Sequence, residues 1–431
     1  MIFPRFFFVT GSAFMIFSAL VLVLWPNVTF ATDGINLLAS SARGQARAGA
    51  TTAVQSSPSD SFLGNPSLIH IASENETELE VSVSGLFLDV SSKNSQAVPF
   101  GGTGQSLASD KKFVLIPTLG VVHAFSERLS IGTGMVAEAG LASDHRGRTE
   151  LLELKPELSV AKVPVAISYA TSFGNLGAAP MLGLARYSTN SSQKIGSPSQ
   201  SDRPLKTALG FGISLGASRE FGTHSVGLGW KSKSKFRLKE FADLDAYGPF
   251  SNPDLDTLEL ESPSQWNIGY AYRGLEDWIF FLDLKRVEWA NAKAFKEFGW
   301  KNQWVAALAL ERTLGRFSAR CGFNLSTPVY RSETARVATG VTDIQGHSVY
   351  QSNLDFFNVV GYPAILTRTA TVGGSFEWGE ADARKSAIDL ALLHSFKETI
   401  SRSGTGAFGL PYSYETEIQF TNVVASYRTR F

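Results

Sequence analysis

The stretch that decides the fold is YSYETEIQFTNVVASYRTRF, residues Tyr412–Phe431. Its last residues alternate: one face carries Val423, Ala425, Tyr427 and Phe431, and the other carries Asn422, Ser426, Arg428 and Arg430. An alternating strand that finishes in an aromatic residue is typical of a transmembrane β-barrel, in which one face meets lipid and the other a polar lumen. The alternative is the terminal strand of a soluble sandwich, and the rest of the chain favours the barrel.

Strand-like segments recur along the chain without any convincing long helix, from Leu79–Val90 to Tyr412–Phe431. We count about fourteen, and predict an all-β fold: an antiparallel transmembrane barrel over residues 77–431. The connections alternate between short ones such as Arg219–Thr223 and long ones such as Ser326–Leu366, as expected for periplasmic turns and extracellular loops. Several aromatic residues near strand ends fit interfacial girdles, namely Trp278, Trp289, Trp304 and Tyr427.

The amino-terminal residues 1–31 read as a secretory signal. Arg5 supplies the positive charge, Phe6–Trp25 the apolar core, and Thr29 and Ala31 the small residues of a cleavage site before Thr32. The apolar run is long enough that an uncleaved membrane anchor is the alternative. With the barrel, the signal predicts the outer membrane of a Gram-negative bacterium.

Composition narrows the function classes. The formal net charge of zero argues against a nucleic-acid partner. The single cysteine, Cys321, excludes an intrachain disulfide. The six histidines lack metal-ligand spacing, so we expect no metal, no cofactor and no catalytic site. His394 and Ser395 are adjacent and therefore point to opposite faces of a strand.

Residues 32–76 differ from the strands that follow. This segment is rich in Ala, Gly and Ser and has little alternation. Small residues permit close packing in a confined space, so we predict a plug, or hatch, inside the barrel. A disordered periplasmic tail is the alternative.

The same segment carries a family resemblance. Ser40–Ala50, then Asp60-Ser61-Phe62 and Asn65-Pro66-Ser67, resemble the hatch of the FadL/TodX family, with Ser67 in place of the usual alanine. Further similar stretches are Pro263–Tyr272, Phe317–Phe323 and Gly361–Ala364. The resemblance implies outer-membrane transport of long-chain fatty acids or other hydrophobic compounds. The hatch residues it singles out are Gly44, Gly49, Asp60, Asn65, Pro66 and Ser67.

The resemblance also implies a route. The ligand binds in the lumen, the hatch rearranges, and the ligand leaves sideways through a kink in the third strand. Here that strand, Leu129–Leu141, contains Gly132, Gly134 and Gly140, and glycine within a strand often marks a bend. The alternative is that these glycines only reflect the glycine-rich composition of barrel strands.

Ligand-binding candidates follow from the chemistry of such a ligand. Leu238, Phe241, Leu244 and Tyr247 have a spacing of about three residues, which predicts a short amphipathic helix and an apolar landing site within Arg237–Ser264. Ordinary loop packing is the alternative. Arg186 and Arg320 are candidate lumenal partners for a carboxylate. Either could instead pair with Asp283, Glu311 or Asp389.

The expected partners are a hydrophobic small molecule or fatty acid and the lipid of the outer membrane, and we expect a monomer. The alternative function is a general porin for small polar solutes. A porin would have no hatch and would keep an open, charged constriction.

Overall fold

A computed structural model describes residues 33–96, 101–190, 205–250, 254–379 and 385–431 of the chain. The expected signal segment, residues 1–31, lies outside the described residues, as does most of the polar loop between the fifth and sixth strands.

Fourteen antiparallel strands form a closed ring, which confirms the predicted architecture. Each strand pairs with its neighbours in sequence, and the last pairs with the first, from Glu78 opposite Arg430 to Asn94 opposite Tyr414. The strands are β1 Thr77–Asn94, β2 Phe113–Ala124, β3 Leu129–Ala142, β4 Lys155–Thr171, β5 Gly174–Asn190, β6 Lys206–Phe221, β7 His224–Lys231, β8 Gln265–Leu275, β9 Trp278–Val287, β10 Gln303–Leu314, β11 Phe317–Ser326, β12 Arg368–Trp378, β13 Lys385–Thr405 and β14 Pro411–Arg430.

The two faces of the wall follow the predicted alternation. On β8, Trp266 and Ile268 point outward and are 55% and 59% exposed, whereas Asn267 between them points into the lumen and is buried. On β11, Arg320 and Asn324 point inward and Phe317 points outward. The outward face is therefore apolar, as contact with lipid requires.

Short and long connections alternate as predicted from β1 to β13, but the predicted long connection Lys397–Pro411 is mostly strand, and only residues 406–410 join β13 to β14. The long ones carry three pieces of additional structure: a hairpin of Ser234–Ala242 with Asp256–Ser262, a hairpin of Val341–Ile344 with His347–Tyr350, and strand Glu333–Val337 beside β13. Helix α3, Gln351–Phe356, continues as a wider helical turn over Phe357–Gly361. None of the described helices has the length and apolar character needed to span a bilayer.

The segment before β1 contains two short helices, α1 Ala42–Ala46 and α2 Pro58–Gly64, and a 3₁₀ turn at Pro66–Ile69. The side chains of Ser41 and Ser57 cap α1 and α2 by accepting bonds from the amides of Gly44 and Asp60. The segment packs against strands on several sides of the ring: α1 against β11–β14, and α2 and the 3₁₀ turn against β1–β7. We call residues 33–76 the hatch.

Candidate functional site

Asp60 is the polar centre of the hatch. Its carboxylate accepts bonds from the amides of Ser40 and Ser41, at 2.6 and 3.0 Å, and from nearby serine hydroxyls. Gly44 passes so close that a Cβ there would lie 2.2 Å from Asp60 Oδ2. Gly49 adopts a left-handed φ of +86°, which glycine tolerates best. The glycines and Asp60 therefore hold one folded unit together.

The Asn65-Pro66-Ser67 turn docks the hatch on the wall. Asn65 Nδ2 donates to the carbonyls of Thr52 (2.8 Å) and of Ala217 on β6 (3.1 Å). Its Oδ1 accepts from Ser67 Oγ at 2.7 Å. Wall glycines make room, since a Cβ at Gly216 would lie 1.9 Å from Asn65 Oδ1. The serine in place of alanine thus adds a hydroxyl that bonds within the turn.

Arg320 is part of a buried charge network that joins α1 to the wall. Its guanidinium bonds Glu311 of β10 at 2.8 Å and also contacts Ser375. Arg47 of the hatch bonds the same carboxylate at 2.6 Å, and Arg43 does so at 3.2 Å. Of the two roles predicted for Arg320, the structure therefore shows the structural pairing.

Arg186 does not face the lumen, which corrects its prediction as a lumenal cation. It shares a strand face with Leu182 and Leu184, because side chains alternate along β5. Its register partner on β6 is Thr207, two residues before the outward-facing Leu209. The prediction relied on its charge and placed it on the wrong face of the strand.

The wall is interrupted between β2 and β3. These strands pair from Ala124 opposite Ser130 to Leu119 opposite Met135, and residues 113–118 of the described β2 have no ladder partner in β3. Beyond that point β3 loses its alternation, and residues 135–142 are buried on both faces. The upper half of β3 therefore lies inside the outline of the barrel.

Two of the three glycines predicted to cause this kink have other positions and contacts. Gly132 pairs with Val122 and Gly134 pairs with Gly120, both within the regular ladder. A Cβ at Gly132 or Gly134 would lie about 3 Å from the ring of Phe62 in the hatch. These two glycines make room for the hatch and do not break the strand, whereas Gly140 does lie in the interrupted half.

β3 also carries a bulge at Glu138, a residue that was not singled out from the sequence. In the ladder with β4, Ala137 faces Ala161 and Ala139 faces Val160, so Glu138 is the extra residue of a β-bulge. Its buried carboxylate lies 2.5 Å from Lys231 Nζ and 3.2 Å from Lys162 Nζ. The sequence signal was a lone acid in a run of small and apolar residues.

Residues 33–37, which we call the strap, cover the inner edge of β3. The amide of Leu37 donates to the carbonyl of Glu138 (3.0 Å), and the amide of Gly140 donates to the carbonyl of Ile35 (2.9 Å). Asn36 lies opposite Ala139. The strap thus acts as a short extra strand in the part of β3 that has no partner in β2.

A small apolar cavity of about 30 Å³, which we call the chamber, lies on the loop side of the strap. Its lining residues are Ile35, Leu141, Leu158, Leu238, Phe241, Leu258, Leu260, Phe295, Phe298, Trp300 and Tyr362. An aromatic cluster closes one side, with the rings of Phe295 and Trp300 4.7 Å apart. Trp289, predicted in a membrane girdle, is instead fully buried in this cluster, because the chain turns inward after β9.

The predicted amphipathic helix does not form; Arg237–Ser264 instead contains strand residues 237–242 and 256–262 of a β-hairpin and a short 3₁₀ turn at Asp245–Tyr247. Leu238 nevertheless lines the chamber, because it lies on the same strand face as the buried Phe236. Phe241 also lines the chamber, Leu244 is buried in the same core, and the ring of Tyr247 packs 4.6 Å from Phe357. The predicted apolar residues therefore converge, but by a strand-and-turn geometry.

One group of described residues has the composition of a metal site: Asp245, Asp256 and His347, whose ligand atoms lie within 4.8 Å of one another. Burial raises the pKa of Asp256 above its ordinary value. His347 Nδ1 and Asp245 Oδ1 are 3.2 Å apart, and this hydrogen bond joins two extracellular hairpins. The bond accounts for their proximity, and the group lies outside the chamber.

A closed wall with an apolar outer face, filled by an amino-terminal plug, defines an outer-membrane β-barrel of the plugged type. The sequence model of the family described as "Outer membrane protein transport protein (OMPP1/FadL/TodX)" matches residues 26–356. The chain belongs to this family of outer-membrane transporters of hydrophobic compounds, which is a family of channels and not of enzymes.

Solved structures agree with this fold. The Pseudomonas putida toluene transporter TodX is 15% identical, with a TM-score of 0.62 over 91% of this chain and 99% of that one. A Pseudomonas aeruginosa FadL homologue is 13% identical, with a TM-score of 0.62 over 92% and 99%. The Ralstonia pickettii toluene transporter TbuX is 14% identical, with a TM-score of 0.60 over 91% and 98%. A search of curated proteins gave no match.

Proposed function

We propose that this barrel, acting as a monomer, carries long-chain fatty acids or similar apolar molecules inward across the outer membrane. The ligand binds at the apolar chamber, which widens to admit it as the strap and hatch rearrange, and the ligand leaves sideways between β2 and β3 into the membrane lipid. One observation carries the proposal: a single strap residue both lines the chamber and pairs with the part of β3 that has no partner in β2. Ile35 lines the chamber, and its carbonyl bonds Gly140 on the edge of β3.

The strap supplies the moving part that such a ligand needs. Burial of an alkyl chain gains about 0.8 kcal/mol per CH₂, so a sixteen-carbon chain gains roughly 13 kcal/mol and leaves slowly. Withdrawal of the strap removes Ile35 from the chamber wall and frees the edge of β3 together. One motion therefore weakens the binding site and opens the exit.

A sideways exit also fits the chemistry below the chamber. There the lumen holds the hatch and buried ion pairs such as Arg47–Glu311. An alkyl chain gains no hydrophobic free energy among charged groups, and breaking a buried ion pair costs about 3–5 kcal/mol. The outward face of the wall, in contrast, meets lipid.

One feature favours the porin alternative: a cavity of about 320 Å³ lies at the end of the barrel that carries the short turns. Charged residues line it, among them Arg43, Glu78, Glu377 and Arg428. A porin predicts steady ion conductance in planar bilayers by the intact protein. The transporter predicts low conductance that rises when residues 33–76 are deleted.

A reversible crosslink tests the transport route. Asn36 and Ala139 lie directly opposite each other but do not exchange backbone hydrogen bonds. In antiparallel strands, such non-hydrogen-bonded pairs have the shorter of the two Cα separations, which suits a disulfide. In a Cys321→Ala background, Asn36→Cys with Ala139→Cys should form a disulfide that fixes the strap to β3. We expect uptake of a fluorescent fatty acid to fall at least about tenfold when oxidised and to recover on reduction.

Thr369→Cys with Ser395→Cys is the matched control, since those hydroxyls lie 2.7 Å apart between β12 and β13 on another part of the wall. This crosslink should leave uptake unchanged. Full uptake by the oxidised strap variant, at equal surface level, would show that the ligand does not use this route.

A further inference from the structure

The cavity at the end of the barrel with the short turns, which we call the periplasmic cavity, has an excess of positive charge. Its volume is about 320 Å³, whereas a single water needs only about 10–15 Å³ on this measure, so a small oxyanion fits easily. Four cationic and two acidic side chains line it, namely Arg43, Lys385, Arg428, Arg430, Glu78 and Glu377. The described lining residues therefore carry a net charge of +2.

The buried network beside this cavity has the same excess. Five hydrogen bonds converge on the carboxylate of Glu311, two at Oε1 and three at Oε2. A carboxylate has about four acceptor positions, so Glu311 has no capacity left. Asp389 is bound by Arg428 at 2.7 Å. Two buried carboxylates are thus shared by four guanidinium groups, those of Arg43, Arg47, Arg320 and Arg428.

Arg43 of the hatch is the guanidinium in this network with the most unused donors. In the described part of the chain its side chain makes one hydrogen bond, from Nη2 to Glu311, and its Nε is buried without a partner. The side chain is 20% exposed and lines the periplasmic cavity. A guanidinium with unused donors favours a further acceptor, and its planar fork matches the oxygens of a phosphate group.

We propose that the periplasmic cavity binds a free phosphate-type dianion, held by Arg43 of the hatch and by the cations of β13 and β14, Lys385 and Arg428. A phosphate group carries roughly −1.5 to −2 charge at neutral pH, which balances the charge of the lining. The anion comes from the aqueous periplasm, because Arg428 pairs with the lumenal Asp389 and the strands separate this space from lipid. The site is separate from the chamber and the strap, and the inference does not depend on which molecule is transported.

Such an anion contacts the hatch and the wall together. It therefore binds tightly only while α1 is docked on the strands. A ligand that binds one state of a protein stabilises that state in proportion to its occupancy. The bound dianion thus anchors the hatch from the periplasmic side.

The test uses the purified full-length protein in a non-ionic detergent, with inorganic phosphate as the probe. Chloride at the same ionic strength is the reference, because salt screens exposed charges. Binding is measured by isothermal titration calorimetry, and docking by hydrogen exchange of a peptide of residues 40–50. When phosphate is about ten times its dissociation constant, we expect exchange to slow about tenfold, as linkage requires, whereas chloride should have no effect.

Two substitutions at exposed positions of the cavity should act in opposite directions. Lys385→Gln removes a cation that has no ion pair in the described part of the chain, so it should weaken phosphate binding about threefold. Glu377→Gln removes a competing acid, whose side chain is 51% exposed, and should tighten binding by about the same factor. The matched controls are Lys397→Gln and Glu417→Gln, at an ion pair outside the cavity, and they should leave phosphate binding unchanged.

Arg43→Gln removes the donor on the hatch and should weaken phosphate binding at least about tenfold, as expected for the loss of charged hydrogen bonds. This substitution also removes a contact with Glu311, so the two exposed positions give the result that is independent of hatch packing. Lack of phosphate binding by wild type, or changes of the same sign in Lys385→Gln and Glu377→Gln, would overturn the site. Binding without slower exchange would overturn the anchoring role. Displacement of phosphate by phosphatidate added to the micelles would overturn the assignment to a free anion.

Discussion

Arg47 in the hatch and Glu311 in the wall form an ion pair of 2.6 Å, and their side chains are 1% and 2% exposed. Arg43 and Arg320 contact the same carboxylate. Three guanidinium groups thus pair with the single carboxylate of Glu311, and two of them belong to the hatch.

Glu311→Gln should therefore loosen the hatch while the barrel stays folded, since the strand ladders do not need this charge. Removing one partner of a buried ion pair costs about 3–5 kcal/mol. We expect higher conductance in planar bilayers and faster proteolysis of residues 33–76. Glu417→Gln, at a largely exposed pair worth about 0–1 kcal/mol, should have no effect on either measurement. Equal conductance of both variants would show that the network does not hold the hatch.

Two glycines of the hatch give a matched comparison. A Cβ at Gly44 would lie 2.2 Å from Asp60 Oδ2, whereas one at Gly64 would meet only Thr51 Oγ1, at 3.8 Å. Gly44→Ala should push Asp60 away from the amides of Ser40 and Ser41 and expose the hatch to hydrogen exchange. Gly64→Ala should leave the exchange of the same peptides near wild type. The reverse order would contradict the placement of Asp60.

In the Asn65-Pro66-Ser67 turn, loss of the Asn65 amide donor should impair transport more than loss of the Ser67 hydroxyl. Asn65→Asp replaces an amide donor with an acceptor that faces the carbonyls of Thr52 and Ala217. Ser67→Ala removes one hydroxyl and should cost about 1 kcal/mol. We expect Asn65→Asp to reduce uptake of a hydrophobic tracer severely, and Ser67→Ala to change it less than about fivefold. Comparable losses at matched surface level would argue that Asn65 does not anchor the hatch.

Acid should weaken the loop after β3. His145 is fully buried, and its two ring nitrogens have no hydrogen-bond partner among the described residues. Burial and then the positive Arg148 lower the pKa of His145 to about 4, against weaker opposing effects of Asp144 and Asp110. The unfolded loop binds the proton first, so loop stability is lost as the pH falls from about 6.5 through 4.

Hydrogen exchange of residues 143–154, corrected for the intrinsic effect of pH, should show this loss between pH 7 and pH 5. His145→Leu should remove the pH dependence, and His394→Gln, at an exposed histidine, should keep it. A pH dependence that survives His145→Leu would assign it to another group.

The barrel could be predicted from sequence because lipid imposes alternation on each strand, whichever strand is its neighbour. Features set by tertiary partners could not. The helix predicted from Leu238 to Tyr247 rested on a spacing that a strand and a turn also produce. Arg186 was assigned to the lumen by its charge, although the register places it outward. The bulge at Glu138 depends on how β4 pairs with β3; the lone acid marks the position in the sequence but does not predict that pairing.

The burial of β3 on both faces from Met135 to Ala142 has a consequence for how such proteins vary. Elsewhere in the wall, a substitution is constrained at one position by lipid and at the next by the lumen. In this stretch every position is constrained as in a soluble core, so small residues such as Ala137 and Ala139 should resist both charged and bulky replacements. A local loss of two-residue periodicity within one barrel strand therefore marks, in sequence alone, the place where the wall turns inward.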